Sequence, residues 1–278
     1  MRFTDDESRR AENWLESVGW QRGEPFVCLL VRDSAFLATE PSLHSVYKGG
    51  GSARWSYHDY RDSDIATYLP AVEWLANQGV WVFRMGKVMA KPLEMDNERV
   101  VDYAFREDRS DFLDVWLFAN CDLCISTGTG PDMIADVYRR PLLTVNLLPA
   151  ISLSSWSNAV TAPKPLVWSE TGRRLSVEEL LSATWLRGEL YAEHGIEIRD
   201  LDAETIRGIV QEAWGRLKGD WTEAPEDGRR NRAAWQALES HPEYANWHGY
   251  RHPRARFSSV WLRQLEAELA THTPPEHE

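Results

Sequence analysis

The chain has 278 residues, 43% of them hydrophobic and 27% charged, with a formal net charge of -12. This composition suits a globular protein of one large domain, or one domain with an extension. The acidic balance, with no long basic run, excludes a general nucleic-acid or anionic-membrane surface, and no apolar stretch reaches the ~18 residues of a membrane span.

The charged start MRFTDDESRR lacks the apolar core of a signal peptide, so the expected compartment is the cytoplasm. Thr4, with Glu7 three residues on, predicts a capping box and a helix over Thr4–Val18. Phe26–Val31 is a continuous apolar run, the pattern of a strand buried on both faces of a parallel sheet, and it ends at Arg32-Asp33-Ser34. A long loop, 33–62, follows, rich in Gly, Ser, Tyr and His. Loops of that length belong to function or to disorder. Ile65, Leu69, Val72 and Leu75 have helical spacing, so Ile65–Gln78 reads as a helix that Pro70 either kinks or starts. Val80–Phe83 and Arg99–Tyr103 read as strands, Asp111–Ala119 as a helix and Leu123–Ile125 as a strand. Pro131 opens a helix reaching Tyr138, and Leu142–Asn146 is a further strand.

Strands alternate with helices from about residue 26 to 147, which predicts an α/β fold with a doubly wound, Rossmann-like parallel sheet. Residues 1–165 form this core in the reading, and 166–278 a mainly helical extension packing on it. Pro149–Lys164, at the end of the core, reads as polar and irregular; in the extension helices are expected at Val177–Ala183 and Ala203–Leu217, a strand at Ile196–Ile198, and a helical tail over Asp227–Ala270, broken around His241–Pro253. The three cysteines, Cys28, Cys121 and Cys124, read as small buried hydrophobes, because Cys121-x-x-Cys124 runs into an apolar strand and has no second such pair.

In doubly wound sheets ligands bind beyond the carboxyl ends of the strands. Arg32, Asp33, Arg84, Asp102, the loop Ser126-Thr127-Gly128-Thr129-Gly130 and Asn146 all fall at or just past such ends. Glycine and hydroxyl residues between a strand and a helix suit phosphate, and arginine's planar fork suits a diphosphate. The alternative for Arg32 and Arg84 is a structural ion pair with Asp33, Asp62 or Asp102. The loop lacks the third glycine of a dinucleotide fingerprint, where Met133 stands, and the lysine of a P-loop. His58 and Asp59, in the segment Tyr57–Ser63, are candidates for acid–base work together with Asp33. Asp111 and Asp114 read as helix caps, and His248 is a weaker candidate. No metal-ligand spacing is present, so the expected site is metal-independent.

Several short motifs occur together in order: Val31-Arg32-Asp33-Ser34, His58–Ile65, Arg84-Met85-Gly86, Asp102-Tyr103-Ala104, Ser110-Asp111-Phe112-x-Asp114 and Ile125–Gly130. This set resembles a family of bacterial glycosyltransferases found among genes for surface glycans. More remotely it is similar to the donor-binding half of GT-B enzymes of the fucosyltransferase type. There a strand ends in His-x-Arg and the arginine holds the donor diphosphate. Leu30-Val31-Arg32 keeps the arginine and not the histidine, which shifts suspicion to His58 or a carboxylate. The resemblance implies a nucleotide-diphosphate sugar as co-substrate, with no other cofactor, and a small-molecule or glycan acceptor. Arg32, Arg61, Arg84, Asp102, Ser126–Gly130 and Asn146 would then hold the donor. A GT-B enzyme has two Rossmann-like domains, so a second protomer, a partner subunit or the loop and tail would complete the cleft. The rival readings are an epimerase or hydrolase on the same site, and a non-catalytic sugar-nucleotide-binding subunit.

Overall fold

The computed structural model describes residues 2–39 and 56–271. Most of the 33–62 loop, and the side chain of His58, lie outside the described residues. The strands are β1 (Phe26–Leu30), β2 (Trp81–Arg84), β3 (Val100–Val101), β4 (Leu123–Ser126), β5 (Leu142–Leu147), β6 (Ala159–Pro163), β7 (Leu166–Trp168), β8 (Ile196–Ile198) and β9 (Arg256–Phe257). Seven of them form a parallel sheet flanked by helices, in the order β3-β2-β1-β4-β5-β6-β9, an α/β Rossmann-like arrangement with a C-terminal helix. β7 and β8 pair separately and antiparallel. The 3-2-1-4-5-6 part of the order is that of doubly wound nucleotide-binding folds, in which the direction of winding reverses between β1 and β4. By compactness the chain falls into two units, Met1–Leu143 and Thr144–Glu278, and the boundary lies inside β5.

In the first unit every residue of β1, β2 and β4 is buried, as their unbroken apolar runs require. Cys28 lies beside Cys124 across the β1–β4 register. Burial pushes both thiols well above their ordinary value, so they pack as neutral apolar groups. Phe26 meets Phe83 edge-on at 5.6 Å and stacks on Trp116 at 6.4 Å. Each such side chain contributes roughly 1.5–3 kcal/mol by leaving water. The first helix, Asp5–Ser17, carries the expected Thr4–Glu7 capping box. Where one helix was expected from Ile65, a 3-10 turn (Ile65–Tyr68) precedes the Leu69–Asn77 helix, with Pro70 in its first turn. Proline lacks the N–H that only a later position would need. The strand expected over Arg99–Tyr103 shrinks to Val100–Val101, and Tyr103 starts a 3-10 turn.

The second unit departs further from the sequence reading. Pro149–Lys164 is not wholly irregular, because Ala159–Pro163 forms β6 with all five residues buried. Its polar residue is satisfied internally, Thr144 Oγ1 donating to Thr161 Oγ1 at 2.9 Å. The tail is not purely helical either: its β9 joins β6 in parallel, Val160 beside Arg256 and Thr161 beside Phe257. Around it lie the helices Asp227–Glu239, Tyr244–Trp247 and Ser259–Thr271. Glu212, on the Ala203–Lys218 helix, is fully buried. It accepts from Arg216 Nε, Ser258 Oγ and the Ser259 and Val260 amides, at 2.6–3.0 Å. One carboxylate thus caps the Ser259–Thr271 helix from a neighbouring helix. No described helix is long and apolar enough to cross a membrane.

Candidate functional site

The winding reversal places the segments after β1 and β4 side by side, and hydrogen bonds fasten them together. The Arg32 amide donates to Thr127 Oγ1 at 3.1 Å, and the Thr127 amide to the Leu30 carbonyl at 3.3 Å. A third segment joins them: Ser56–Arg61 is a 3-10 turn, and the Ser63 amide donates to the Arg32 carbonyl at 3.0 Å. Arg32 Nε pairs with Asp62 Oδ1 at 2.9 Å, both side chains being about one-fifth exposed (17% and 21%). Arg61 Nη2 donates to the Gly128 carbonyl, while its Nε is buried with no partner among the described residues. Burial, then the positive charge of Arg32, push the Arg61 guanidinium below its ordinary value. Asp132 and Asp62 act on it in the opposite direction. Two guanidiniums therefore share one partly desolvated spot at the reversal.

The Ser126–Gly130 loop differs from an open phosphate cradle. Asp132, 5% exposed, accepts through Oδ2 from Ser126 Oγ at 2.6 Å and from the Thr129 amide at 2.8 Å. The Gly128 amide donates to Ser126 Oγ at 3.1 Å. Three of the loop's amides are thus engaged within the chain, Thr127 by the Leu30 carbonyl, Gly128 by Ser126 Oγ and Thr129 by Asp132. Burial raises the Asp132 carboxyl above its ordinary value, against the Ser126 and Thr129 hydrogen bonds. Gly128 holds a left-handed φ of 77°, which glycine adopts without steric cost. Thr129 Oγ1 is buried and has no partner among the described residues.

The remaining expected site residues are placed elsewhere. Arg84 is sealed, its side chain 1% exposed; Nη1 pairs with Asp102 Oδ1 at 3.0 Å and Nη2 donates to the Lys91 carbonyl at 3.1 Å. Asp102 Oδ2 accepts from the Leu93 amide at 2.7 Å. The pair is a structural tie, closed to a ligand arriving from water. Asp33 is held by two amides, Ala35 at 3.0 Å and Ala90 at 2.9 Å. Asp59 is exposed, and its carbonyl accepts from the Asp62 amide. Asn146 belongs to the second unit, fully buried with a left-handed φ of 56°, and its Oδ1 accepts from the Leu201 amide at 2.9 Å. In that unit Lys164, 4% exposed, is paired with Asp200 just past β6.

Asp132 is the neighbour of the site that sequence reasoning passed over, whereas Asp62 takes the ion-pair place expected for it beside Arg32. Asp132 had a signal: it stands two residues after the last glycine, where a carboxylate can cap the loop's own amides. Among the described residues no group of three or more His, Cys, Asp or Glu side chains is arranged to hold a metal ion. No family model, curated protein or solved structure matches the chain.

Proposed function

We propose that the spot between β1 and β4 binds the diphosphate of a nucleotide sugar, and that the chain is a glycosyltransferase. The observation that carries this reading is Arg61: a desolvated guanidinium beside Arg32, with an orphaned Nε, at the reversal point of a doubly wound sheet. Burying one charge next to a like charge is unfavourable unless an anion compensates. Asp62 and Asp132 compensate in part, and a diphosphate supplies the rest. The phosphate contacts fall to Arg32 and Arg61, not to the Thr127, Gly128 and Thr129 amides that already have partners within the chain, and not to Arg84.

In the transfer an acceptor hydroxyl attacks the anomeric carbon, and the bond from that carbon to the diphosphate oxygen breaks. The guanidiniums stabilise the negative charge gathering on the departing diphosphate. The hydroxyl proton passes to a carboxylate, and Asp59, exposed and two residues before Arg61 in the chain, is the candidate in the described residues. His58 keeps its place as the other candidate base.

A thermal-shift panel of UDP, GDP, ADP and CDP tests the binding step. One of them raises the melting temperature of the wild type, and Arg61→Ala removes the rise. No rise with any of the four sinks the reading. With the binding nucleotide known, incubation with its sugar conjugate separates the chemistries. Release of nucleotide only when a hydroxyl acceptor is added supports transfer; rapid release or isomerisation without acceptor assigns a hydrolase or epimerase.

A further inference from the structure

Arg32 meets its aspartate through one nitrogen only. Nε donates to Asp62 Oδ1 at 2.9 Å, and Nη1 and Nη2 make no hydrogen bond to a described residue. Several other arginines of the chain close their pairs with two prongs. Arg106 and Arg199 each give Nε and Nη2 to one carboxylate, and Arg173 gives Nη1 and Nη2 to Glu179. Arg84 gives Nη1 to Asp102 and Nη2 to the Lys91 carbonyl. A guanidinium is a planar fork, and a contact confined to Nε leaves its distal Nη1–Nη2 edge able to grip two phosphate oxygens at once. The Arg32 side chain is also not sealed, being 17% exposed where that of Arg84 is 1% exposed.

Both members of the pair are pinned through the backbone. The Asp62 amide donates to the Asp59 carbonyl at 2.9 Å, and the next amide, that of Ser63, donates to the Arg32 carbonyl at 3.0 Å. The Arg32 amide is itself held by Thr127 Oγ1 at 3.1 Å. The carboxylate is thus set opposite the arginine before any side chain chooses a rotamer, and the Nε contact removes the remaining freedom of a long, flexible stem. Ordering that stem in advance lowers what a ligand must spend to order it. Burial outweighs the attraction of Arg32 and leaves the Asp62 carboxyl above its ordinary value; Asp59 and Asp33 push it the same way. A pair that returns so little of its desolvation cost is weak evidence for a purely structural tie.

We propose that Asp62 is a positioning residue of this site: through Nε it turns the Nη1–Nη2 edge of Arg32 toward the diphosphate. The inference rests on the donor reading above and names the residue that aims its arginine. Arg61 is steadied differently, by its own Nη2 on the Gly128 carbonyl. The two guanidiniums therefore reach the ligand from separate anchors, Arg32 from the aspartate and Arg61 from the loop backbone. Removing the aspartate leaves the Arg61 anchor in place, so the loss falls on one phosphate grip and not on both.

The test is calorimetric titration with UDP, GDP, ADP and CDP, carried on with whichever binds the wild type. Asp62→Ala raises the dissociation constant about tenfold, or about 1.4 kcal/mol. Asp62→Asn stays within about threefold of the wild type, because its carboxamide oxygen still accepts from Nε. Glu197→Ala, which breaks the exposed pair with Arg199 in the second unit, leaves the constant unchanged. If Asp62→Ala does not fold, Asp62→Ser, whose hydroxyl is too short to reach Nε, takes its place with the same tenfold expectation. Tighter binding by the alanine or serine variant overturns the inference, since Asp62 then competes with the phosphate for Arg32. Unchanged binding overturns it too, as does a loss in Asp62→Asn equal to that in Asp62→Ala. In each of these cases the wild type still binds and the donor reading stands. Absence of binding by all four nucleotides sinks that reading and this inference together.

Discussion

Arg32 and Arg84 close neighbouring buried strands and each is paired with an aspartate, yet the two pairs live in different surroundings. Arg84 is sealed at 1% exposure, with the Lys91 carbonyl and the Leu93 amide folded back over it and Asp102. Arg32 keeps 17% exposure, and what folds back over it is a second arginine, Arg61. The difference teaches that an arginine at a strand end is a ligand candidate only when its covering segment brings unsatisfied charge. On β2 the cover engages Arg84 through Nη1 and Nη2, leaving its buried Nε without a partner among the described residues, and brings no second cation; after β1 it adds another cation.

The comparison breaks first on stability. Arg84→Ala strands Asp102 without its partner and costs about 3–5 kcal/mol, read by urea denaturation. Arg32→Ala, in a wetter pair, costs about 1–2 kcal/mol and removes any nucleotide-diphosphate stabilisation. If Arg32→Ala proves the costlier of the two, the sealed and open roles are reversed. The loop under Arg61 gives a smaller effect. Gly128→Ala forces a side chain into the left-handed region and costs about 1–2 kcal/mol. At Gly130 an added Cβ meets nothing within 4 Å, so Gly130→Ala stays within about 0.5 kcal/mol. Equal losses at the two glycines refute the assignment of the turn to Gly128.

The smallest effect concerns pH. Burial raises the Asp132 carboxyl above its ordinary value of 3.8. The folded chain then holds that proton more tightly than the unfolded chain. The resulting stabilisation is complete below the unfolded value and fades as pH rises through the folded one. Asp132→Asn keeps an oxygen able to accept from Ser126 and Thr129, and removes this contribution to the slope. Denaturation midpoints of the two proteins, followed from about pH 4 to pH 7, should converge differently, the wild type losing ground relative to the variant as pH rises. Parallel curves count against a buried, ionisable Asp132.

The sheet was largely legible in the sequence because β1, β2 and β4 are buried on both faces and read as apolar runs, and the mainly apolar β5 follows the Arg139-Arg140-Pro141 break. β6 was hidden because Thr161 interrupts its run and Pro163 ends it; the Thr144 hydroxyl that satisfies Thr161 is a long-range partner. β9 was hidden because a strand of only Arg256 and Phe257 has no periodicity to read. At the candidate site, Arg32, Arg61 and the Ser126–Gly130 loop lie together, while the ion-pair alternative is met by both arginines, Arg32 with Asp62 and Arg84 with Asp102. Strand ends were visible in sequence, whereas the backbone folded over them was not. That is also why Asp132 was missed: its role depends on Oδ2 pointing back at Ser126 and Thr129 rather than out to water.

Glu212 carries a consequence for how this chain can vary between lineages. Its carboxylate neutralises Arg216 and answers the donors of Ser258, Ser259 and Val260, all from a site with no exposed surface. A change at 212 alone strands three donors at once, while Arg216 keeps Glu223 at 2.6 Å. Positions 212 and 258 are therefore expected to covary, and descendants that lose the glutamate should also have lost the buried serine hydroxyl.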